Sequence, residues 1–110
     1  MQATDFSLVL DGLPMAELAR SGIRDLQEGR SRTLAALLLR IAAPRLHAAG
    51  IPELADYAQA RDTHLESQVL QLLSAEDEPH QRFKALMGDL VSLENSAEAR
   101  AARNRNPPAR

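Results

Sequence analysis

The stretch LAALLLRIAA, residues 34–43, decides the fold of this chain because it is apolar on every side except at Arg40. A helix that is apolar all round must be covered on all sides by other parts of the protein. As a helix, the stretch would span roughly 15 Å, about half the hydrocarbon thickness of a bilayer. It therefore predicts a buried central helix and not a membrane span.

The composition around this stretch predicts an all-α protein. Ala and Leu supply 37 of the 110 residues, whereas there are only two Phe, one Tyr and no Trp. Ala and Leu are strong helix formers, and the residues that favour strands are scarce. A chain of this length suits a single domain. We expect one helical domain over residues 1–103, with an N-terminal arm (1–12), followed by a disordered tail (104–110).

Stop and start signals divide the first half of the chain into two helices. Pro14 suits the first position of a helix, and apolar residues then follow helical spacing up to Gly29. Ser31 or Thr33 can cap the next helix, which runs through the apolar stretch to Gly50. Both glycines are typical of left-handed helix stops.

The second half predicts an αα-hairpin. A third helix of roughly 22 residues is indicated by apolar spacing between Leu54 and Leu73, and a turn follows over residues 74–79. A fourth helix has apolar residues at steps of three and four from Phe83 to Ala97. Within the second helix, Pro44 predicts a kink or a break near residue 43. The whole is a small four-helix bundle with a long C-terminal αα-hairpin.

The N-terminal arm has two possible structures. Phe6, Leu8 and Leu10 alternate with other residues before Asp11-Gly12, which fits an extended strand or the first turn of a helix. A single strand has no partner within an all-α chain. If extended, the arm would lie across the helices or dock on another subunit.

The net charge of −2 hides an uneven distribution of charged residues. Residues 20–50 hold six arginines and two acids, whereas residues 51–78 hold seven acids and one arginine. Neighbouring helices could pair these charges, or a basic surface could contact phosphates through four arginines: Arg20, Arg24, Arg30 and Arg32. Residues 17–23 resemble the turn of a helix-turn-helix module, but the apolar stretch after them offers almost no polar side chain to read bases. The pattern favours a continuous first helix with an exposed basic face.

Arg40 is the one charge within the apolar stretch. A buried guanidinium needs a carboxylate or carbonyl partner. The side chain could extend to the surface or pair with an acid of the third helix. Alternatively, it could hold an anionic ligand inside the bundle.

No residue pattern supports catalysis or metal binding. None of His47, His64 and His80 follows a Glu by three residues, the spacing that carboxylate-bridged metal sites in bundles use. Asp62 and Glu66 share a helix face, but their polar neighbours indicate a solvated surface. The chain has no cysteine and no phosphate-binding glycine loop or nucleophile motif. We expect neither a cofactor nor an enzymatic activity.

The predicted function is therefore protein–protein interaction or regulation, without catalysis. The hairpin has a longer apolar stripe than a short central helix can cover, which predicts a homodimer. The candidate interface lies on the fourth helix, at Phe83, Leu86, Met87, Leu90 and Leu93. The alternative is a nucleic-acid-associated regulator that binds through the arginine-rich face. The absence of a secretion signal predicts a cytoplasmic protein.

Overall fold

The computed structural model describes residues 12–13, 15–58 and 64–105. Within these ranges the regular elements are all helical and no strand occurs, which confirms the all-α class. The elements are α1 (Ala16–Gln27), α2 (Leu34–Ala48), a 3₁₀ helix (Pro52–Leu54), α3 (Ala55–Ala58), α4 (Leu65–Leu73) and α5 (Pro79–Arg105).

Helix α2 is the buried centre of the fold, as its apolar sequence predicts. It packs against α1, α3, α4, α5 and the 3₁₀ helix. Covering on all these sides is what an all-round apolar helix requires. Eight of its side chains are buried: Ala35, Ala36, Leu37, Leu38, Leu39, Ala42, Ala43 and Leu46.

Helices α1 and α2 both end where the glycine signals predict. Gly29 and Gly50 follow these helices with φ of 84° and 109°, a region that glycine enters without a Cβ clash. The amide of Gly50 donates to the carbonyl of His47 at 3.0 Å, and the amide of Ile51 donates to Leu46 at 3.2 Å. These two bonds form a Schellman motif, and Ile51 is then fully buried against the core.

Thr33 is the residue that caps α2. Its Oγ1 accepts a hydrogen bond from the Ala36 amide at 3.1 Å. The helix then continues from Leu34 to Ala48 with Pro44 inside it, so the predicted break near residue 43 does not occur. Pro44 is exposed, so its ring lies on the solvent side of the helix.

Helix α1 approaches α2 most closely at Gly22. A Cβ built on Gly22 would lie 2.5 Å from the Ala35 carbonyl oxygen and 2.7 Å from a methyl carbon of Leu39. Gly22 is buried in the middle of a continuous helix. The continuous first helix that the sequence favours is therefore confirmed, and the helix-turn-helix alternative for residues 17–23 is wrong. Gly22 permits close helix packing.

The prediction of a single third helix between Leu54 and Leu73 is wrong. The structure has the 3₁₀ helix and α3 before residues 59–63, which lie outside the described residues, and α4 after them. His64 precedes α4 with φ −112° and ψ 12°, so the backbone is not helical there. A straight helix of 22 residues would measure about 33 Å, against about 22 Å for α2. Two shorter elements allow both ends to pack on α2.

Helices α4 and α5 pack against each other across a turn at residues 74–78 and form a hairpin with arms of unequal length. Helix α5 continues through Arg105, two residues beyond the predicted domain end. The arm before Gly12, Pro14 and residues 106–110 lie outside the described residues, so the predictions for them stay predictions.

Candidate protein-binding surface

The loop between α1 and α2 is held in place by Asp25. Its carboxylate accepts a hydrogen bond from the Thr33 hydroxyl at 2.7 Å and one from Arg30 Nη2 at 3.1 Å. Arg30 also forms an ion pair with Glu28. The Thr33 hydroxyl and the Arg30 guanidinium together hold the pKa of Asp25 below its usual value. The loop that contains Arg32 is thus tied to the end of α1.

Arg32 stands apart from this network. It is exposed, and it makes no hydrogen bond or ion pair with any residue in the described ranges. It lines two separate cavities. One is a groove formed by residues 29–33, and the second is a cleft of about 280 Å³. We name this second feature the Arg32 cleft; it is lined by Arg32, Leu37, Gln68, Gln71 and Leu72.

The Arg32 cleft combines apolar, polar and cationic groups. Leu37, on α2, is almost completely buried, whereas the α4 residue Leu72 is 49% exposed. The amides of Gln68 and Gln71 can each donate and accept hydrogen bonds. None of the five side chains is a nucleophile or a general base at neutral pH. The cleft is suited to holding an aliphatic side chain and a carboxylate, and it does not contain groups for acid–base catalysis.

The four arginines proposed for phosphate contact do not form a uniformly available basic face. Arg20 lies 3.8 Å from Glu17 within α1, and Arg30 pairs with Asp25 and Glu28. Arg24 is exposed in the last turn of α1, where a cation interacts favourably with the helix dipole. These pairs partly neutralise the surface, but they are local contacts within residues 17–30 and not the pairing between neighbouring helices that was considered for the uneven charge distribution.

Arg40 is half-buried, and its guanidinium reaches the loop before α2. Its Nη1 donates a hydrogen bond to the carbonyl of Ser31 at 3.0 Å. A buried guanidinium needs a carboxylate or carbonyl partner, and the Ser31 carbonyl is one such partner for Arg40. The contact also ties the middle of α2 to the loop that presents Arg32.

A network of hydrogen bonds and ion pairs centres on Arg45, a residue that the sequence did not single out. Its Nε and Nη2 donate to the two oxygens of Glu98 at 2.8 and 2.7 Å. Its Nη1 donates to Glu94 at 2.9 Å, and Nη2 also donates to Asn95 at 2.7 Å. This planar pattern is typical of bidentate Arg–carboxylate pairs, and here it joins α2 to α5.

The two carboxyls beside Arg45 have opposite pKa shifts. Hydrogen bonds from Arg45 lower the pKa of Glu98, whose side chain is 43% exposed. Burial raises the pKa of Glu94, whose side chain is only 9% exposed, although Arg45 partly offsets this effect. The spacing of Glu94 and Glu98 by four residues was a readable signal that they share a face, but nothing local indicated the distant partner.

The predicted interface residues of α5 are mostly used inside the chain. Leu86, Leu90 and Leu93 are buried, and Phe83 and Met87 are half-buried against the core. The three leucines are therefore not available to a partner in this fold. The large hydrophobic side chains that are exposed in the described ranges are Leu72 and Val91, neither of which was predicted as a contact.

The described residues contain no group of three or more His, Asp or Glu side chains placed to hold a metal ion. Asp62 lies outside them. No helix in the described part of the chain has both the length and the hydropathy needed to cross a bilayer. Comparison with protein-family models, curated proteins and solved structures finds no match for this chain.

Proposed function

We propose that this protein is a non-catalytic helical module that binds another protein through the Arg32 cleft. One observation supports the proposal above all: an exposed guanidinium without a partner in the described ranges lies in the same cleft as a half-exposed leucine. Protein-binding surfaces commonly surround a central apolar contact with polar groups, and Arg is enriched in them. We further propose that it acts in the cytoplasm, on the sequence grounds given above.

The lining of the cleft defines the chemistry of the partner. An aliphatic side chain would cover Leu72 and remove its exposed surface from water. A carboxylate next to it would accept a bidentate pair from Arg32. Gln68 and Gln71 would satisfy main-chain groups of the same segment. The preferred ligand is therefore a protein segment with an acidic residue close to an aliphatic one.

Selection of random peptides displayed on phage against the immobilised full chain tests this function. We expect the enriched peptides to share an acidic and an aliphatic residue. Binding should weaken by at least about tenfold with Leu72→Asp and with Arg32→Glu. Val91→Asp is the matched control, because Val91 is 48% exposed but lies on α5 and does not line the cleft. Peptides that bind all three variants like the wild type, or no enrichment at all, would contradict the proposal.

A further inference from the structure

The two halves of α5 are attached to the bundle by different kinds of contact. In the first half, the large side chains of Leu86, Leu90 and Leu93 are buried. Beyond residue 93, the buried apolar side chains in the described part of α5 are those of Ala97 and Ala101. A methyl group removes far less apolar surface from water than a leucine side chain does. The hydrophobic attachment of α5 is therefore strong up to residue 93 and weak after it.

Hydrogen bonds from Arg45 begin where the leucines end. Four bonds join its guanidinium to Glu94, Asn95 and Glu98, which directly follow Leu93 along α5. We name these four polar residues the Arg45 cluster. The side chains of Arg45 and Glu98 are 41% and 43% exposed, so water and salt reach their ion pair. The second half of α5 is thus fixed to α2 by contacts that depend on charge, together with two small apolar side chains.

The helix is also intrinsically weak at this point, because Asn95 and Ser96 are poorer helix formers than Ala or Leu. Segments with few buried apolar contacts open at a lower free energy than the whole protein. We infer that residues 94–105, which we name the latch, undock from α2 while the rest of the bundle stays folded, and that the charges of the Arg45 cluster control this opening. The latch is separate from the Arg32 cleft, since none of the residues that line the cleft belongs to it.

The pH acts on the latch through its two carboxyls, with opposite signs. In the undocked state both are exposed and have ordinary pKa values near 4.5. Burial raises the pKa of docked Glu94, so its contribution to docking is complete below pH 4.5 and is lost as the pH rises through the raised pKa. Arg45 lowers the pKa of docked Glu98, so its contribution is present above pH 4.5 and is lost as the pH falls through the lowered pKa. Docking is therefore tightest near pH 4.5 and looser at neutral pH.

The charges around Glu94 explain why neutral pH loosens the latch. Arg45 faces it from α2 and Glu98 from its own helix, whereas α4, which also packs on α5, adds no charge that acts on it within the described ranges. Two carboxylates thus share one guanidinium, and one negative charge is in excess next to a side chain that is only 9% exposed. A proton on Glu94 removes this excess and leaves Arg45 paired with Glu98.

Thiol labelling tests whether the latch opens by itself. The chain has no cysteine, so one introduced thiol reports exposure at its own position. Ala97→Cys and Ala43→Cys are a matched pair, because both alanines are fully buried. Ala43 lies two positions before Arg45 and hence on the side of α2 that faces away from α5. At neutral pH, a pyridyl disulfide should label position 97 at least about tenfold faster than position 43, with a weaker dependence on urea. Equal rates would overturn the inference.

Amide hydrogen exchange of the unaltered chain makes the same comparison without a substitution in the core. The amides of residues 98–102 should exchange at least about tenfold faster than those of residues 87–93, after correction for intrinsic rates. Circular dichroism shows whether the two cysteine variants are folded. If the two groups of amides had equal protection, α5 would leave the bundle only by global unfolding, and the inference would be wrong.

Charge variants in the Ala97→Cys background test the control of opening. Glu98→Gln should raise the labelling rate at position 97 by at least about threefold at neutral pH, whereas Asp89→Asn, at an exposed acid of α5 outside the Arg45 cluster, should leave it unchanged. Relative to an unstructured thiol peptide, the rate should fall between neutral pH and pH 4.5, and Glu94→Gln should abolish this fall. A rate that Glu98→Gln does not change, or one that rises between neutral pH and pH 4.5, would refute control by the cluster.

Discussion

The replacement of Gly22 by Ala should lower the stability of the protein, whereas intrinsic helix propensity alone would predict that it raises the stability. In an exposed helix interior, Gly→Ala stabilises by about 0.5–1 kcal/mol, because Ala has less backbone entropy to lose on folding. Gly22 is different, since its added Cβ would lie 2.5 Å from the backbone oxygen of Ala35. Ordinary contact begins at 3.4 Å, so α1 and α2 would have to separate by nearly an ångström.

The cost of this separation exceeds the gain in propensity. A gap of this size forfeits about a quarter to a half of each dispersion contact across the helix pair, and overpacking typically costs about 1–3 kcal/mol. Ala19, Ile23 and Leu26 bury their side chains on the same side of α1 and would lose contacts together. We expect Gly22→Ala to lower the free energy of unfolding by about 2 kcal/mol net. That is a substantial part of the total of roughly 5–15 kcal/mol expected for a domain of this size.

Gly88→Ala is the matched control in the same protein. Gly88 lies in α5, is exposed, and has nothing within 4 Å of an added Cβ, so the same chemical change should stabilise by about 0.5–1 kcal/mol. Urea denaturation followed by circular dichroism measures both variants, with an unchanged slope as evidence that only stability has changed. If Gly22→Ala stabilised the protein as Gly88→Ala does, the close packing of α1 on α2 would be refuted.

Three further predictions follow from the polar contacts. Thr33→Ala should lower the free energy of unfolding by about 1–2 kcal/mol in urea denaturation, because the α2 cap is lost. Thr33→Ser keeps a hydroxyl at this position and should retain most of the wild-type stability. Equal losses in the two variants would contradict the role of Thr33 as the cap. Glu98→Gln removes a carboxyl whose pKa in the folded protein lies below its ordinary value of 4.5. Such a carboxyl stabilises the folded state at pH values above 4.5, and this stabilisation is lost as the pH falls through the folded pKa. The variant's stability, from denaturation at a series of pH values, should therefore fall less steeply below about pH 4.5 than that of the wild type; an equally steep fall is the contrary result. Arg45→Met should raise the pKa of Glu94 further, because Arg45 is the group that opposes the effect of burial, and carboxyl NMR titration measures it; an unchanged or lower pKa would show that Arg45 does not stabilise this carboxylate.

The helices and their ends were largely predictable because they depend on neighbours in sequence. Gly29, Gly50 and Thr33 act through hydrogen bonds to residues three to five positions away. Likewise, the apolar stretch 34–43 must be buried, whichever helices pack around it. Sequence could also identify Arg32 as an exposed cation. There are two exceptions. Local spacing could not reveal that α2 is too short to cover a long third helix, and the break predicted near residue 43 does not occur because the helix continues through Pro44.

By itself, the sequence determined an all-α chain arranged around one fully apolar helix, because periodicity and composition express local preferences. Only the tertiary structure decided that Arg45 meets Glu94 and Glu98 about fifty positions away, and that Gly22 lies against Ala35. It also decided that Leu86, Leu90 and Leu93 are buried while Leu72 is exposed. The spacing of residues along the chain shows which of them share one face of a helix. The packing of whole helices then sets which faces contact each other and which contact solvent.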